Sequence, residues 1–221
     1  MRNPEALAPP VPFATALAQA PRLLVRQKRN LLETFTGFEA RGRFAVFTED
    51  GGFTAGFAEH GEGAGAFLAR WFLKASRPFT MGLYPSEHPN QPALELHRPW
   101  RWFFAHLELR EAGSGRVVGR IQQRFSLFKK RLDVEGPDGR PLARLTGPFF
   151  KPWTVLVEVG PESNPREVGR IEKKWGGFLK EAFTDADTFL VTLPPPADLQ
   201  LRQLVLAAAI LVDFLWFEHR D

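Results

Sequence analysis

The sequence predicts a mainly β protein, a closed antiparallel twelve-stranded barrel around a central C-terminal hydrophobic α-helix. Three observations carry that expectation. From Pro21 onward the chain consists of short runs rich in Val, Phe, Leu and Trp, separated by Gly, Pro, Asp and Asn, which is strand-and-turn patterning. One long apolar segment, Asp198 to Glu218 (DLQLRQLVLAAAILVDFLWFE), follows a stop of three prolines, Pro194, Pro195 and Pro196. Finally, Val118 to Phe125 (VGRIQQRF) recurs fifty residues later as Val168 to Trp175 (VGRIEKKW), each copy followed by a second aromatic, Phe128 or Phe178, and a Lys. Two similar antiparallel units thus succeed one another. Closing such a sheet removes its edges, and placing the apolar helix inside fills the bore.

Taken in order, the N-terminus MRNPEALAPPVPF has no apolar stretch of signal-peptide length and carries prolines that oppose a targeting helix. Residues 1–19 are expected to be a flexible tail and residues 20–221 a single barrel domain, since 221 residues suffice for one sizeable core. The expected strands are Arg22 to Gln27, Arg43 to Thr48, Phe67 to Lys74, Phe79 to Tyr84, Ala93 to His97, Trp102 to Arg110, Val117 to Arg124, Arg131 to Glu135, Pro141 to Leu145, Trp153 to Val159, Glu167 to Lys173 and Thr188 to Leu193. Turn chemistry at Glu49-Asp50-Gly51-Gly52, Gly113-Ser114-Gly115 and Pro137-Asp138-Gly139 supports hairpins between neighbouring strands. Gly61-Glu62-Gly63-Ala64-Gly65 reads as a flexible loop, because it lacks both the Lys of a phosphate loop and dinucleotide spacing.

The final helix, residues 198–218, has Asp198 at its N-cap, where a carboxylate accepts the first orphan N–H groups. Two environments suit its all-round apolar surface, lipid or protein. The eleven Leu, Ile, Val and Phe residues from Leu199 to Phe217 favour insertion by about 0.3–0.6 kcal/mol each, while Arg202 and Asp213 each oppose it by roughly 3 kcal/mol. That near-zero balance, with an apolar run shorter than the roughly 20 residues a bilayer needs, favours a core helix over a transmembrane anchor. Asp213 is then expected to be buried and paired.

With 29 Lys and Arg against 25 Asp and Glu the chain carries a formal charge of +4, which weakly favours an anionic partner. The absence of cysteine excludes disulfides, thiolate metal sites, cysteine nucleophiles and thioester lipid anchors, and fits a reducing compartment. Five scattered histidines, no HExxH and no Gly-x-Ser-x-Gly elbow point away from an enzyme.

The run VGRIEKKWGGFLKEAFTDADTFLV, the proline stop and AAAILVDFLWFE, spanning Val168 to Glu218, closely resembles the C-terminal half of the phospholipid scramblase family; Leu96-His97-Arg98-Pro99, the VGRIQQRF copy and Gly147-Pro148 resemble its upstream landmarks. The resemblance covers roughly residues 20–218. It implies a Tubby-like fold, shared with the LURP-one-related proteins, and a cytoplasmic, peripherally membrane-associated protein. It further implies binding to anionic phospholipid surfaces and assistance in transbilayer phospholipid movement, the alternative being a soluble Tubby-like structural or interaction module without that activity. It also places a calcium-responsive acidic segment at Asp185 and Asp187, with Asp198 as the next carboxylate. Calcium wants six to eight oxygens, which so few carboxylates do not supply, so calcium is the one cofactor raised and the segment fits it poorly. A plain turn before a strand, or the Asp-x-Asp of a nucleotide-sugar enzyme, are the other readings.

Two basic clusters occupy equivalent positions of the repeat: Lys129, Lys130 and Arg131, then Arg170, Lys173, Lys174 and Lys180. They read either as solvated hairpin edges or as a surface for lipid headgroups, with the side chains pointing into water. Trp100, Trp102, Phe103 and Phe104 read either as an interfacial aromatic belt or, by the alternation through Leu109, as packing in the barrel wall, which is preferred. Nucleic acid is not expected, because neither exposed stacking aromatics nor a contiguous Arg/Lys stripe is evident.

Overall fold

The computed structural model describes residues 9–27, 42–59, 78–127, 129–148, 150–151, 153–174 and 187–217. Twelve strands form one closed antiparallel barrel: β1 (Arg22–Gln27), β2 (Gly42–Thr48), β3 (Phe53–Glu59), β4 (Phe79–Pro85), β5 (Leu94–Arg98), β6 (His106–Glu111), β7 (Val117–Gln123), β8 (Lys129–Glu135), β9 (Pro141–Pro148), β10 (Thr154–Val159), β11 (Arg166–Lys174) and β12 (Asp187–Thr192). Each strand pairs with its sequence neighbours. The ring closes where β1 meets β12, in a register running from Arg22 opposite Thr192 to Gln27 opposite Asp187.

Side chains alternate as the pleat requires. Val25, Val46, Phe57, Met81, Leu96, Leu107, Ile121, Val134, Leu145, Val157, Ile171 and Phe189 all face inward and are buried. Along the axis runs α2 (Leu199–Val212), continued by a π-helical turn over Asp213–Phe217. Asp198 caps α2 by accepting from Leu201 N at 2.9 Å, and Gln200 Nε2 donates to Val118 O at 2.7 Å where the helix enters. Residues 199–216 are long and apolar enough to cross a membrane, but Leu204 to Val212 are wholly enclosed by the strands. Each such Leu, Ile or Val contributes about 1.5–3 kcal/mol through burial. Asp213 is fully buried, and Phe214 stacks on Phe79 with centroids 4.8 Å apart.

The repeated V-G-R has a packing cause. A Cβ on Gly119 would lie 2.5 Å from Glu135 O and 2.8 Å from Leu204 Cδ1, and one on Gly169 would lie 2.6 Å from Thr192 O. Beside each glycine the pairing shifts register: Leu109 and Arg110 face Gly119 and Val117, and Val157 and Glu158 face Gly169 and Glu167, which leaves Val118 and Val168 as the extra residues. The repeat therefore preserves two close backbone approaches at bulges.

Three expectations are corrected. Residues 9–19 are not a tail: α1 (Phe13–Gln19) buries Phe13, Ala16 and Leu17 against the barrel. Its first N–H groups have no local side-chain cap; Phe13 N instead donates to both oxygens of Glu87, at 3.1 and 2.9 Å. At its other end Arg202, 1% exposed, donates to Leu17 O (2.6 Å), Ala20 O and Pro194 O (2.7 Å). The second correction is β3, not foreseen in the sequence; the expected strand at 67–74 lies outside the described residues, as does the loop at 61–65. The third is β6, which begins at His106, leaving residues 99–105 as a loop.

Because every strand reverses on its predecessor, the connections alternate between two ends. Hairpins at 49–52, 86–93, 112–116, 136–140 and 160–165 share one end with α1 and the start of α2. Among the described residues, the glycines with positive φ are Gly51, Gly113, Gly115, Gly139 and Gly160, and all belong to these hairpins. We call this the turn end. The connections at 99–105, 124–128 and 149–153 lie at the opposite end, the loop end, toward which α2 runs.

Candidate functional site

The loop end gathers features that the rest of the surface lacks. Among the described residues, Trp100, Trp102, Phe103, Phe104, Phe125, Leu127 and Phe150 are exposed large apolar side chains belonging to its three connections; Leu199, at the turn end, is the remaining one. Phe103 is 87% exposed, Phe150 83% and Trp102 76%. The expectation that Trp100 to Phe104 pack in the barrel wall is overturned. Pro99 ends β5, and the inward alternation resumes only at Ala105, Leu107 and Leu109. Trp100 and Trp102 rest edge to face on one another, centroids 4.7 Å apart, rather than on the core.

The three loops occupy consecutive positions round the rim, since β5 to β10 are neighbours in order. Open clefts bridge them. One, about 310 Å³, is lined by Arg101, Phe104, His106, Gln122, Arg124 and Phe125. Another, about 550 Å³ and mostly apolar, is lined by Leu127, Lys129, Pro148, Phe150 and Leu156 among others. Burial, and then the Arg101 guanidinium, hold the His106 imidazole below its ordinary pKa against the opposing pull of Glu108 and Glu135.

Among the described residues, the three loops and the turn-end hairpins differ in charge, with Glu59 and Asp187 standing at the loop-end termini of β3 and β12. The described residues of the three loops contain Arg101, Arg124 and Lys151 and no carboxylate, and Lys129 and Lys130 adjoin them at the start of β8. The turn-end hairpins contain Glu49, Asp50, Glu87, Asp138 and Glu162 against Arg116 and Arg140.

The basic residues singled out in the sequence separate into three situations. Lys129 is exposed at the loop end, and Lys130, half-buried beside it, holds its Nζ 5.1 Å from the Trp216 ring centroid. Arg131 and Arg170 are matched locally: Arg131 Nε meets Asp133 Oδ1 at 2.9 Å and its NH1 meets Glu162 at 3.2 Å, while Arg170 NH2 meets Glu167 at 2.6 Å. Lys173 is a correction, since it does not point into water. It is 5% exposed, with its Nζ 5.4 Å from the Trp153 ring centroid, a cation–π arrangement. Lys174 ends β11 at the loop end, and Lys180 lies outside the described residues. Sequence reasoning missed Arg101 and Lys151, single cations among aromatics rather than runs. The available signal was the loss of alternation at Trp102-Phe103-Phe104, where both parities are apolar.

The acidic set does not assemble. Asp187 opens β12 at the loop end and Asp198 caps α2 at the turn end, so a strand of six residues, roughly 17–20 Å long, separates them. Calcium–oxygen distances of about 2.3–2.6 Å make one coordination sphere impossible, and the Asp198 carboxylate is already occupied by Leu201 N. Asp187 and Asp198 therefore do not share a calcium ion, and Asp185 lies outside the described residues.

The family model for Scramblase matches residues 1–219. The chain belongs to the scramblase family. It is similar to phospholipid scramblase 1 of Mus musculus, 28% identical over 227 residues that cover 96% of this chain and 67% of that protein. It is also similar to phospholipid scramblase 2 of Homo sapiens, 26% identical over 96% of this chain and 74% of that one. A yeast relative, altered inheritance rate of mitochondria protein 25 of Saccharomyces cerevisiae, is 20% identical over 95% of this chain and 74% of its own length. This scramblase-like chain spans about two thirds of the length of mouse phospholipid scramblase 1 and 64% of the human one. No solved structure matches it. The family is not one of conventional enzymes.

Proposed function

We propose that this scramblase-like protein is cytoplasmic, binds anionic phospholipid surfaces peripherally and assists transbilayer phospholipid movement. The observation that supports it is the loop end itself, where Arg101, Lys129 and Lys151 form no ion pair among the described residues and no carboxylate stands in the described loops. Each Lys or Arg near an anionic surface contributes roughly 1 kcal/mol, screened over a Debye length of about 10 Å at 0.1 M salt. Since α2 occupies the bore, any headgroup that crosses does so outside the barrel's interior.

Co-sedimentation with phosphatidylcholine vesicles, with and without phosphatidylserine, tests the binding. Sedimentation is expected to rise with the anionic lipid, to fall with added salt and to ignore a calcium chelator, because Asp187 and Asp198 cannot share an ion. Reversing charge at Arg101, Lys129 and Lys151 is expected to weaken it strongly without changing the melting temperature. Dithionite bleaching of a fluorescent phospholipid in reconstituted vesicles tests movement. The filled bore also favours a second reading, a soluble interaction module, and sedimentation that ignores both anionic lipid and the triple charge reversal would establish it instead.

A further inference from the structure

We infer that the loop end is a membrane-insertion face: Trp102 and Phe103 at the tip of residues 99–105, supported by Phe125, Leu127 and Phe150, enter the interfacial layer of a bilayer, so that the barrel docks end-on. The inference rests on the lipid-binding reading above and goes beyond it by assigning the anchor, the depth and the orientation.

Water-exposed rings on this scale have to be explained. Soluble surfaces scatter single apolar residues, whereas contiguous apolar patches rimmed by polar groups mark interaction sites. Here the exposed rings fall in three adjacent loops at one end of a barrel whose other end is closed by glycine hairpins and α1. At the foot of this loop a cleft is lined by Arg98, Arg101, Phe103, Ala105, Gln123 and Leu215. Arg98 at the close of β5 is 2% exposed, with its guanidinium carbon 5.7 Å from the Phe79 ring centroid. A rigid base presenting aromatic tips inserts without first having to fold.

The charges choose the occupant. Trp and Phe favour the headgroup layer, and Lys and Arg beside them favour an anionic one. A second copy meeting this one through the same three loops would bring Arg101, Lys129 and Lys151 against their own equivalents, with no carboxylate in the described residues of those loops to match them, which opposes an isologous dimer. A strand of nucleic acid could stack on the same rings, but the rings are projecting tips round a rim. Arg101, Lys129 and Lys151, which form no ion pair among the described residues, stand on or beside three separate loops, where a backbone-tracking groove would align them.

The test uses the full chain and phosphatidylcholine vesicles containing phosphatidylserine, with bromine on the acyl chains at defined depths. Tryptophan fluorescence of the wild type is expected to be quenched most by bromine near the headgroups. Trp102→Ser with Phe103→Ser, both at exposed positions, is expected to lose that quenching and to bind at least about tenfold more weakly at high salt, where insertion outlasts screening. Leu199→Ser, which removes an exposed apolar side chain at the turn end, is expected to bind as the wild type does. Unchanged binding and quenching in the double variant would overturn the insertion face while leaving lipid binding intact. Failure of the wild type to bind anionic vesicles at low salt would remove the underlying reading as well. Lipid-free self-association abolished by the double variant would make the face a contact between copies. Tight binding of a single-stranded oligonucleotide that vesicles cannot displace would assign it to nucleic acid. Either result overturns the inference.

Discussion

Replacing Arg202 by Met keeps most of the side-chain volume and removes every donor it brings to the turn end. Three carbonyls lose their partner, those of Leu17, Ala20 and Pro194, and Arg202 is 1% exposed, so water does not replace it in place. Each orphaned acceptor costs about 1–3 kcal/mol. The substitution also recovers the cost of desolvating a guanidinium, several kcal/mol in a buried setting. That same burial pulls the Arg202 pKa below its ordinary value. Together these leave an expected net loss of about 2–4 kcal/mol, or roughly 4–16 °C in Tm at this chain length. Urea unfolding followed by tryptophan fluorescence measures the loss. Hydrogen exchange locates it, because the amides of α1 are expected to lose protection before those of the strands. A loss below about 1 kcal/mol, or unchanged exchange in α1, would refute the claim that Arg202 fastens α1 to the central helix.

Gly119→Ala forces a Cβ into 2.5 Å of Glu135 O and 2.8 Å of Leu204 Cδ1, an overpacking that costs about 1–3 kcal/mol; an unchanged thermal melt would contradict it. Lys173→Glu places a carboxylate at a 5% exposed site over the Trp153 ring and is expected to destabilise by about 3 kcal/mol or more, while Lys129→Glu stays within about 0.5 kcal/mol of the wild type. Differential scanning calorimetry of the pair checks this. Burial by itself would raise the Glu108 carboxyl, but Arg110 at 2.6 Å and Arg120 at 2.9 Å hold its pKa below the ordinary value. A carboxyl depressed on folding adds stability that is fully present above its unfolded pKa, about 4.3, and is lost as pH falls through the folded value. Glu108→Gln is therefore expected to flatten the acid limb of the stability–pH curve below about pH 4.3, read from urea midpoints; an identical limb in the variant would show that the two arginines do not act through this group.

The barrel and its central helix were legible because their signals are local or periodic. The triple proline, the Asp198 cap and the unbroken apolar face placed α2, and alternation placed most strands. What escaped depended on distant partners. α1 is capped by Glu87 and Arg202, residues far away in sequence, so no local pattern announces it. β3 (FTAGFAE) is buried on both faces, with a pattern of six buried residues followed by Glu59, and its Ala and Gly hide the alternation by which a half-exposed strand is recognised. At the candidate site, the position of Lys129 was legible from the repeat, but the burial of Lys173 was not: which face a strand residue presents depends on register, and Lys173 also finds Trp153 beside it at the start of β10, where its N donates to Trp153 O at 2.9 Å. For the aromatic tips the exposed reading was available but wall packing was preferred, because Phe103, Ala105, Leu107 and Leu109 keep one parity apolar, although Trp102 and Phe104 make the other parity apolar too. Pro99 and the paired Trp100 and Trp102 turn the chain outward there instead.

The order of elements has a consequence for biosynthesis. The wall of this barrel leaves the ribosome before the rod it surrounds, since all twelve strands precede α2, and the seam between β1 and β12 joins Arg22 to Thr192. Until the last segment emerges, the inward Phe, Leu, Ile and Val side chains have nothing to close upon. High contact order slows such folding, and half-made sheets with open edges aggregate. The nascent chain is therefore exposed to aggregation until α2 arrives. A premature stop anywhere ahead of Leu199 should yield not a shortened protein but an insoluble one.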